Sequence, residues 1–343
     1  MLLSATTAAV LERLTDLGTW SLWIEEAHTW RDATLPLHGP NGFLASDRAL
    51  YPVTFLVLRG LLALGWIGGD EFSLRLPFAV VGFLTVPLMA LCGRRLVGPW
   101  PAVLSACLLC LDPWHVFWSK NARGYVLTCC LSAIACNRAH AWAETSRVRD
   151  LLATGAAIAV AALSHPSGGM LAAALLAFLL VRRVRRLDRR FLMRAVVVAA
   201  AVAVVLPWAL QWAPIQGFLR SKNDPSVLHL LQTTAFYFRP ATLLAAGAGL
   251  VFAWTWLGRD RTLLLGCLCI VPFYVLLAIG GQLAKVTARY AICTLPVLTW
   301  LAALACTRIG GLVAGSSLRR RGRLFPAALA LPGLLVADHV QQA

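Results

Sequence analysis

Two adjacent carboxylates and a histidine lie among three tryptophans in Trp20-Ser21-Leu22-Trp23-Ile24-Glu25-Glu26-Ala27-His28-Thr29-Trp30, in a chain otherwise poor in acid. A carboxylate beside an apolar phase and a second carboxylate holds its proton more tightly, which suits a general base at neutral pH. In a membrane such a pair is costly unless it faces water or a counter-charge, so it marks a candidate functional site. The competing reading is a solvated stretch whose tryptophans mark the membrane interface. Candidate counter-charges recur at the ends of later apolar runs: Arg75, Lys120 with Arg123, and Arg289 followed by Tyr290. A guanidinium at Arg123 or Arg289 can fork onto phosphate oxygens. Lys120 and Arg75 are weaker candidates, because long basic side chains at span ends also snorkel to the headgroups. Asp47, after Ser46, is either a further acid facing the same cavity or a helix cap.

The elements that must hold these groups follow from composition. Of 343 residues, 59% are hydrophobic and 13% charged, and 31 Lys and Arg against 15 Asp and Glu leave a formal charge of +16. This profile excludes an ordinary soluble domain and fits a multi-span membrane protein. The positive charge sits in short runs between apolar segments, as an orientation signal does, so nucleic acid is excluded as a partner. All ten cysteines lie within or beside apolar segments, at neither disulfide nor zinc spacing, and read as packing residues. His28, His115 and His165 form no metal set, and His165 reads as a hairpin residue.

In chain order, residues 1–18 are too short and, with Glu12, Arg13 and Asp16, too charged for a span of about 20 apolar residues. They read as an amphipathic piece or the stub of a first span. A turn-rich segment, 31–47, follows the acidic stretch, and 50–67 reads as an interfacial helix. Residues 76–93 form the first clear span and 98–111 return. The next span is 125–142, and 151–163 with 170–181 form a hairpin around Ser164-His165-Pro166-Ser167-Gly168-Gly169. Residues 195–212 cross to a longer loop, 213–240, before spans at 241–257, 262–279, 291–306 and 324–336. Arginine runs and acidic loops alternate, which sets Glu25, Lys120, Arg123 and Arg289 on the side opposite the basic clusters. The expected fold is all-α, a multi-pass bundle of about ten spans of about 20 residues each. It divides into an N-terminal stub with the first extracytoplasmic loop and its juxtamembrane helices, 1–75, and the bundle, 76–343. The expected location is the plasma (inner) membrane, with the chemistry on the extracytoplasmic face.

Four pieces, in order, resemble the GT-C class of membrane glycosyltransferases, in particular the protein O-mannosyltransferase and aminoarabinose-transferase relatives. Ser21-Leu22-Trp23-Ile24-Glu25-Glu26-Ala27 is similar to the first-loop pattern SLW-x-DEA. Tyr51-Pro52-Val53-Thr54-Phe55-Leu56 with Phe72-Ser73-Leu74-Arg75-Leu76-Pro77 resembles PPLYYLL … RLPSAL. Ser119-Lys120-Asn121-Ala122-Arg123-Gly124-Tyr125 resembles SQEAR-x-Y, and Arg289-Tyr290 with Pro296 a late RY … P. Glu25 stands where the family has Asp, Leu50-Tyr51 replaces a His-Pro or Lys-Pro pair, and Asn121 replaces a Glu.

The resemblance implies a bundle of GT-C type that uses a polyprenyl-phosphate sugar donor and a lipid, glycan or protein acceptor, with membrane lipids around it. By position it makes Glu25 the catalytic base and Glu26 an orienting partner, the alternative for Glu26 being a helix N-terminal charge. Asp47, Lys120, Arg123, Arg289 and Tyr290 are then the substrate-binding residues. Direct displacement with inversion is implied as well. No cofactor is expected. Relatives both with and without a divalent metal exist, and no ligand cluster is evident in the sequence. The alternatives are a non-catalytic relative that binds or moves lipid-linked sugars, and a transporter. A transporter would carry an internal repeat with paired broken helices, which the sequence lacks.

Overall fold

The computed structural model describes residues 1–184, 226–282 and 286–313. All regular elements among them are helices. They are α1 (Leu2–Leu14), α2 (Ile24–Thr34), α3 (Val53–Ala63), α4 (Glu71–Leu96), α5 (Pro99–Cys110), α6 (Pro113–Ser119), α7 (Tyr125–Thr145), α8 (Val148–Ser164), α9 (Ser167–Val184), α10 (Val227–Phe238), α11 (Pro240–Trp256), α12 (Arg259–Gln282) and α13 (Leu295–Val313). Short 3-10 turns occupy Phe43–Ala45, Asp47–Leu50 and Ala288–Thr294. The protein is an all-α membrane helical bundle. By length and apolarity α4, α12 and the run Ala288–Leu312 can each cross a bilayer. Counting the bent pairs α5–α6 (62°) and α10–α11 (85°) as single spans raises the total to five among the described residues.

The run ending in α13 is the centre: 94% of its apolar window is buried. It packs on α11 and α5, while α4 lies between α5, α7 and α1. Lipid offers apolar side chains no hydrophobic incentive to associate, so close packing by small residues does much of the work. Ala302, Ala303 and Ala305 on α13 and Ala133, Ala135 and Ala139 on α7 are buried accordingly. Gly249 of α11 lies against the Leu301 backbone, where a Cβ would overlap the carbonyl. The Trp300 indole donates to the Met89 carbonyl at 3.1 Å and pins α13 to α4.

Three features add to the expected plan. Residues 1–18 carry α1, which packs on α4, α5 and α6 as part of the bundle. Arg13, which made that segment look too charged, is fully buried. Its guanidinium donates to the Leu109 and Cys110 carbonyls (3.3 and 3.2 Å), Ser119 Oγ (3.3 Å) and His115 Nδ1 (2.8 Å). The carbonyls freed where α5 ends before Pro113 thus find a cation at a helix C-terminus. Second, the expected loop 213–240 contains α10, whose first turn is capped by Ser226 accepting from the His229 amide at 3.2 Å. Third, α4 begins at Glu71, ahead of the boundary drawn after residue 75. The expected spans at 195–212 and 324–336, most of the basic run 182–194 and the rest of the loop before α10 lie outside the described residues.

Candidate active site

Glu25 and Glu26 occupy the first turn of α2, where exposed amides and the helix dipole favour acid. Neighbours on a helix diverge by about 100°, so the two carboxylates face different partners. Glu26 turns inward and is buried. Arg75 of α4 meets it bidentately, Nε to Oε1 at 2.9 Å and Nη2 to Oε2 at 2.6 Å. The Ala122 amide donates to Oε1 at 2.9 Å and the Trp23 amide to Oε2 at 3.4 Å. Arg75 spends its remaining donors on the carbonyls of Leu17, Trp20 and Ser21. Glu26 is therefore a buried anchor between α2, α4 and the turn after α6, the place an orienting partner of Glu25 would hold. Arg75 is likewise consumed and is not a phosphate ligand.

Glu25 turns the other way, onto the face it shares with Thr29 and Asp32. Arg289 Nη1 lies 3.2 Å from its Oε1 and Arg123 Nη2 lies 3.5 Å from its Oε2. Arg123 Nη1 also donates to Thr29 Oγ1 at 3.2 Å. The three side chains keep 25% (Glu25), 22% (Arg289) and 15% (Arg123) of their surface exposed, so the set is reachable.

The arginines are held from behind. Arg123 rides the turn between α6 and α7, which the Glu26–Ala122 hydrogen bond fixes to α2. Gly124, the next residue, lies against the Ser164 carbonyl and Thr54 Oγ1, each 2.5 Å from where a Cβ would stand. Arg289 is the second residue of the 3-10 turn before α13, and Thr233 Oγ1 of α10 accepts from the amide of Ala288, which opens it, at 3.0 Å. Tyr290 is buried beside it, with its ring 5.5 Å from the Arg289 guanidinium and stacked on His165 at 5.6 Å.

Of the sequence-derived candidates, Glu25, Arg123, Arg289 and Tyr290 thus come together. The Lys120 ammonium pairs with no described residue and does not join them. The role expected for the Asp47 carboxylate lies outside the described residues; its backbone opens the turn Asp47–Leu50. His165 was missed. It is buried at the α8–α9 turn, takes the Ser167 amide on Nδ1 at 3.2 Å, and packs on Tyr125 at 4.0 Å. With Thr29, Tyr51, Thr54, Arg123 and Ser164 it lines a small pocket beside the ion pairs. The Ser-His-Pro turn before Gly168-Gly169 was the available signal. Asp32, buried and bound to Arg31 (2.8 Å) and Arg48 (3.2 Å), was also missed.

Trp23, Trp114 and Trp118 pack on other aromatic rings. Trp114 is stacked between Tyr237 (4.0 Å) and Phe117 (5.2 Å), and Trp118 packs on Tyr125 at 3.9 Å. Trp23 meets Phe117 and Trp118 at 6.0 and 6.3 Å. The rings form a wall that braces α2, α6, α7 and α10 around the charged set. Among the described residues no group of three or more His, Cys, Asp or Glu side chains is placed to hold a metal ion.

Comparison with known proteins agrees with this architecture. The sequence model of the dolichyl-phosphate-mannose-protein mannosyltransferase family matches residues 47–210. No curated protein matches the chain. Among solved structures, ArnT from Cupriavidus metallidurans, bound to undecaprenyl phosphate, superposes with a TM-score of 0.63 at 16% identity, over 89% of this chain and 60% of ArnT. The oligosaccharyltransferase AglB from Archaeoglobus fulgidus, in complex with an inhibitory peptide and a dolichol-phosphate, gives 0.63 at 14% identity, over 99% of this chain and 54% of AglB. The chain therefore spans 60% or less of these two relatives by fold.

Proposed function

We propose that this chain, which carries the helical fold of the GT-C membrane glycosyltransferases, moves a sugar from a polyprenyl-phosphate donor to an acceptor hydroxyl on the extracytoplasmic side of the plasma (inner) membrane. The observation that carries the reading is the meeting of Glu25, Arg123 and Arg289 from three distant segments, with both guanidiniums on one reachable carboxylate. The matched family and ArnT, which binds undecaprenyl phosphate, support the donor class.

In this reading Arg123 and Arg289 hold the donor phosphate and stabilise the charge that grows on it as the sugar leaves. Glu25 takes the proton of the acceptor hydroxyl. The acceptor oxygen then bonds to the anomeric carbon while the bond from that carbon to the phosphate oxygen breaks, and polyprenyl phosphate departs. With two arginines on the phosphate, the neutralising role that a divalent cation plays elsewhere falls to the chain itself. Glu26 and Arg75 hold the base in register without touching substrate.

The test is transfer from radiolabelled polyprenyl-phosphate sugars by the purified protein in lipid. Glu25→Gln is expected to lower transfer by about 100-fold or more, the usual scale of a general base, with donor binding retained. Retained donor binding without any transfer by the unmodified protein would support a non-catalytic carrier of lipid-linked sugars instead.

A further inference from the structure

Glu25 and Glu26 are bound by arginine in different ways. The Glu26 clamp is short and saturated, with contacts of 2.6 and 2.9 Å to Arg75 and two backbone amides besides. The Glu25 contacts, at 3.2 and 3.5 Å, exceed the 2.7–2.9 Å usual for charge-assisted bonds. Glu25 Oε2 accepts no hydrogen bond from a described residue. An arginine nitrogen beside it and, two residues earlier in the chain, a hydroxyl are also left over. Arg289 Nε and Thr287 Oγ1 are shut off from solvent with no hydrogen-bond partner among the described residues. Buried polar groups are nearly always satisfied, so this set is built for an acceptor larger than one carboxylate.

We propose that Glu25 holds the place of the donor phosphate in the ligand-free protein. On binding, the phosphate takes over Arg123 and Arg289, with Arg289 Nε and the Thr287 hydroxyl as further donors. The exchange releases the Glu25 carboxylate, which becomes free to accept the acceptor's proton only once the donor is seated. Without the exchange, the two guanidiniums occupy the carboxylate and leave the acceptor hydroxyl no place on it. The inference rests on the function proposed above and adds an order to it: donor first, then a competent base. Thr287 joins the phosphate-binding residues.

The test compares the unmodified protein with Glu25→Gln and Glu25→Asp, measuring dissociation constants for undecaprenyl phosphate and for uncharged undecaprenol in lipid nanodiscs. Removing the internal anion is expected to tighten undecaprenyl phosphate about tenfold in Glu25→Gln, leaving undecaprenol unchanged. Glu25→Asp, with its shorter reach, is expected to fall between, and it carries the test alone if the Gln variant fails to fold. Thr287→Val is expected to weaken undecaprenyl phosphate several-fold without moving undecaprenol. Unchanged or weaker phosphate-lipid binding in the Glu25 variants, with preference over undecaprenol kept by the unmodified protein, overturns the exchange and spares the donor reading. No preference for the phosphate lipid in any variant overturns both.

Discussion

At the scale of single residues, one step along α2 separates a reachable carboxylate from a sealed one. Glu26 and Arg75 have side chains that are 0% and 6% exposed, and breaking a buried pair by removing one partner leaves an uncompensated charge. Arg75→Met is expected to cost about 3–5 kcal/mol of stability, read as a lowered melting temperature in detergent. Glu25→Gln leaves no such charge sealed in and is expected to melt within about 0.5 kcal/mol of the unmodified protein. Equal melting of the two variants would remove the distinction between anchor and base. The sequence made the pair of acids conspicuous and its match to a known pattern favoured Glu25. What it could not supply was the partner of each acid, because nothing in the spacing pairs Arg75 with Glu26 or Arg123 and Arg289 with Glu25 until the packing sets their directions.

At the scale of elements, each arginine that meets Glu25 depends on a neighbour that has no chemistry of its own. Gly124 lets the α6–α7 turn lie against the end of α8. Gly124→Ala would push a methyl into a backbone carbonyl that cannot move as a side chain tip can, at a cost of about 1–3 kcal/mol. Arg123 would be displaced with it. The expected readout is weaker donor binding together with a lower melting temperature. Thr233 acts on the other arginine by accepting from the Ala288 amide. Thr233→Val keeps the shape and removes the acceptor, leaving that amide short of a partner at about 1–3 kcal/mol. Donor binding is expected to weaken with the helical content of the protein unchanged by circular dichroism. Apolar runs made α4, α7, the α8–α9 hairpin, α11 and α12 visible in advance. Helix α10 was not visible, because His229, Gln232, Thr233 and Thr234 interrupt its apolar stripe and read as loop. Nor was the burial of Arg13 in α1, which is satisfied by carbonyls that only a break between α5 and α6 exposes.

At the scale of the molecule, helix lengths fix how far the acid site stands from the basic ends. Helix α4 has 26 residues, about 39 Å at 1.5 Å each, with Arg75 near its start and Arg94 and Arg95 in its last turn. Helix α7 has 21 residues, about 32 Å, and runs from beside Arg123 to beside Arg147. At its length α4 can cross a hydrocarbon core of about 30 Å, with the Glu25 set near one end and Arg94 and Arg95 at the other. Arg261, at the start of α12, lies 3.8 Å from Glu144 near the end of α7 and joins the basic face. Lysine and arginine are retained on the cytoplasmic side, and the function proposed above accordingly puts the Glu25 set outside. Single cysteines at two exposed positions test this. Asn41→Cys, in the first loop, is expected to react with a membrane-impermeant maleimide on intact cells, and Arg147→Cys only after the membrane is opened. The native cysteines are all buried or half-buried, which keeps the background low. Labelling in the reverse order would place the carboxylate and its arginines in the cytoplasm, and the donor would then have to be presented from that side.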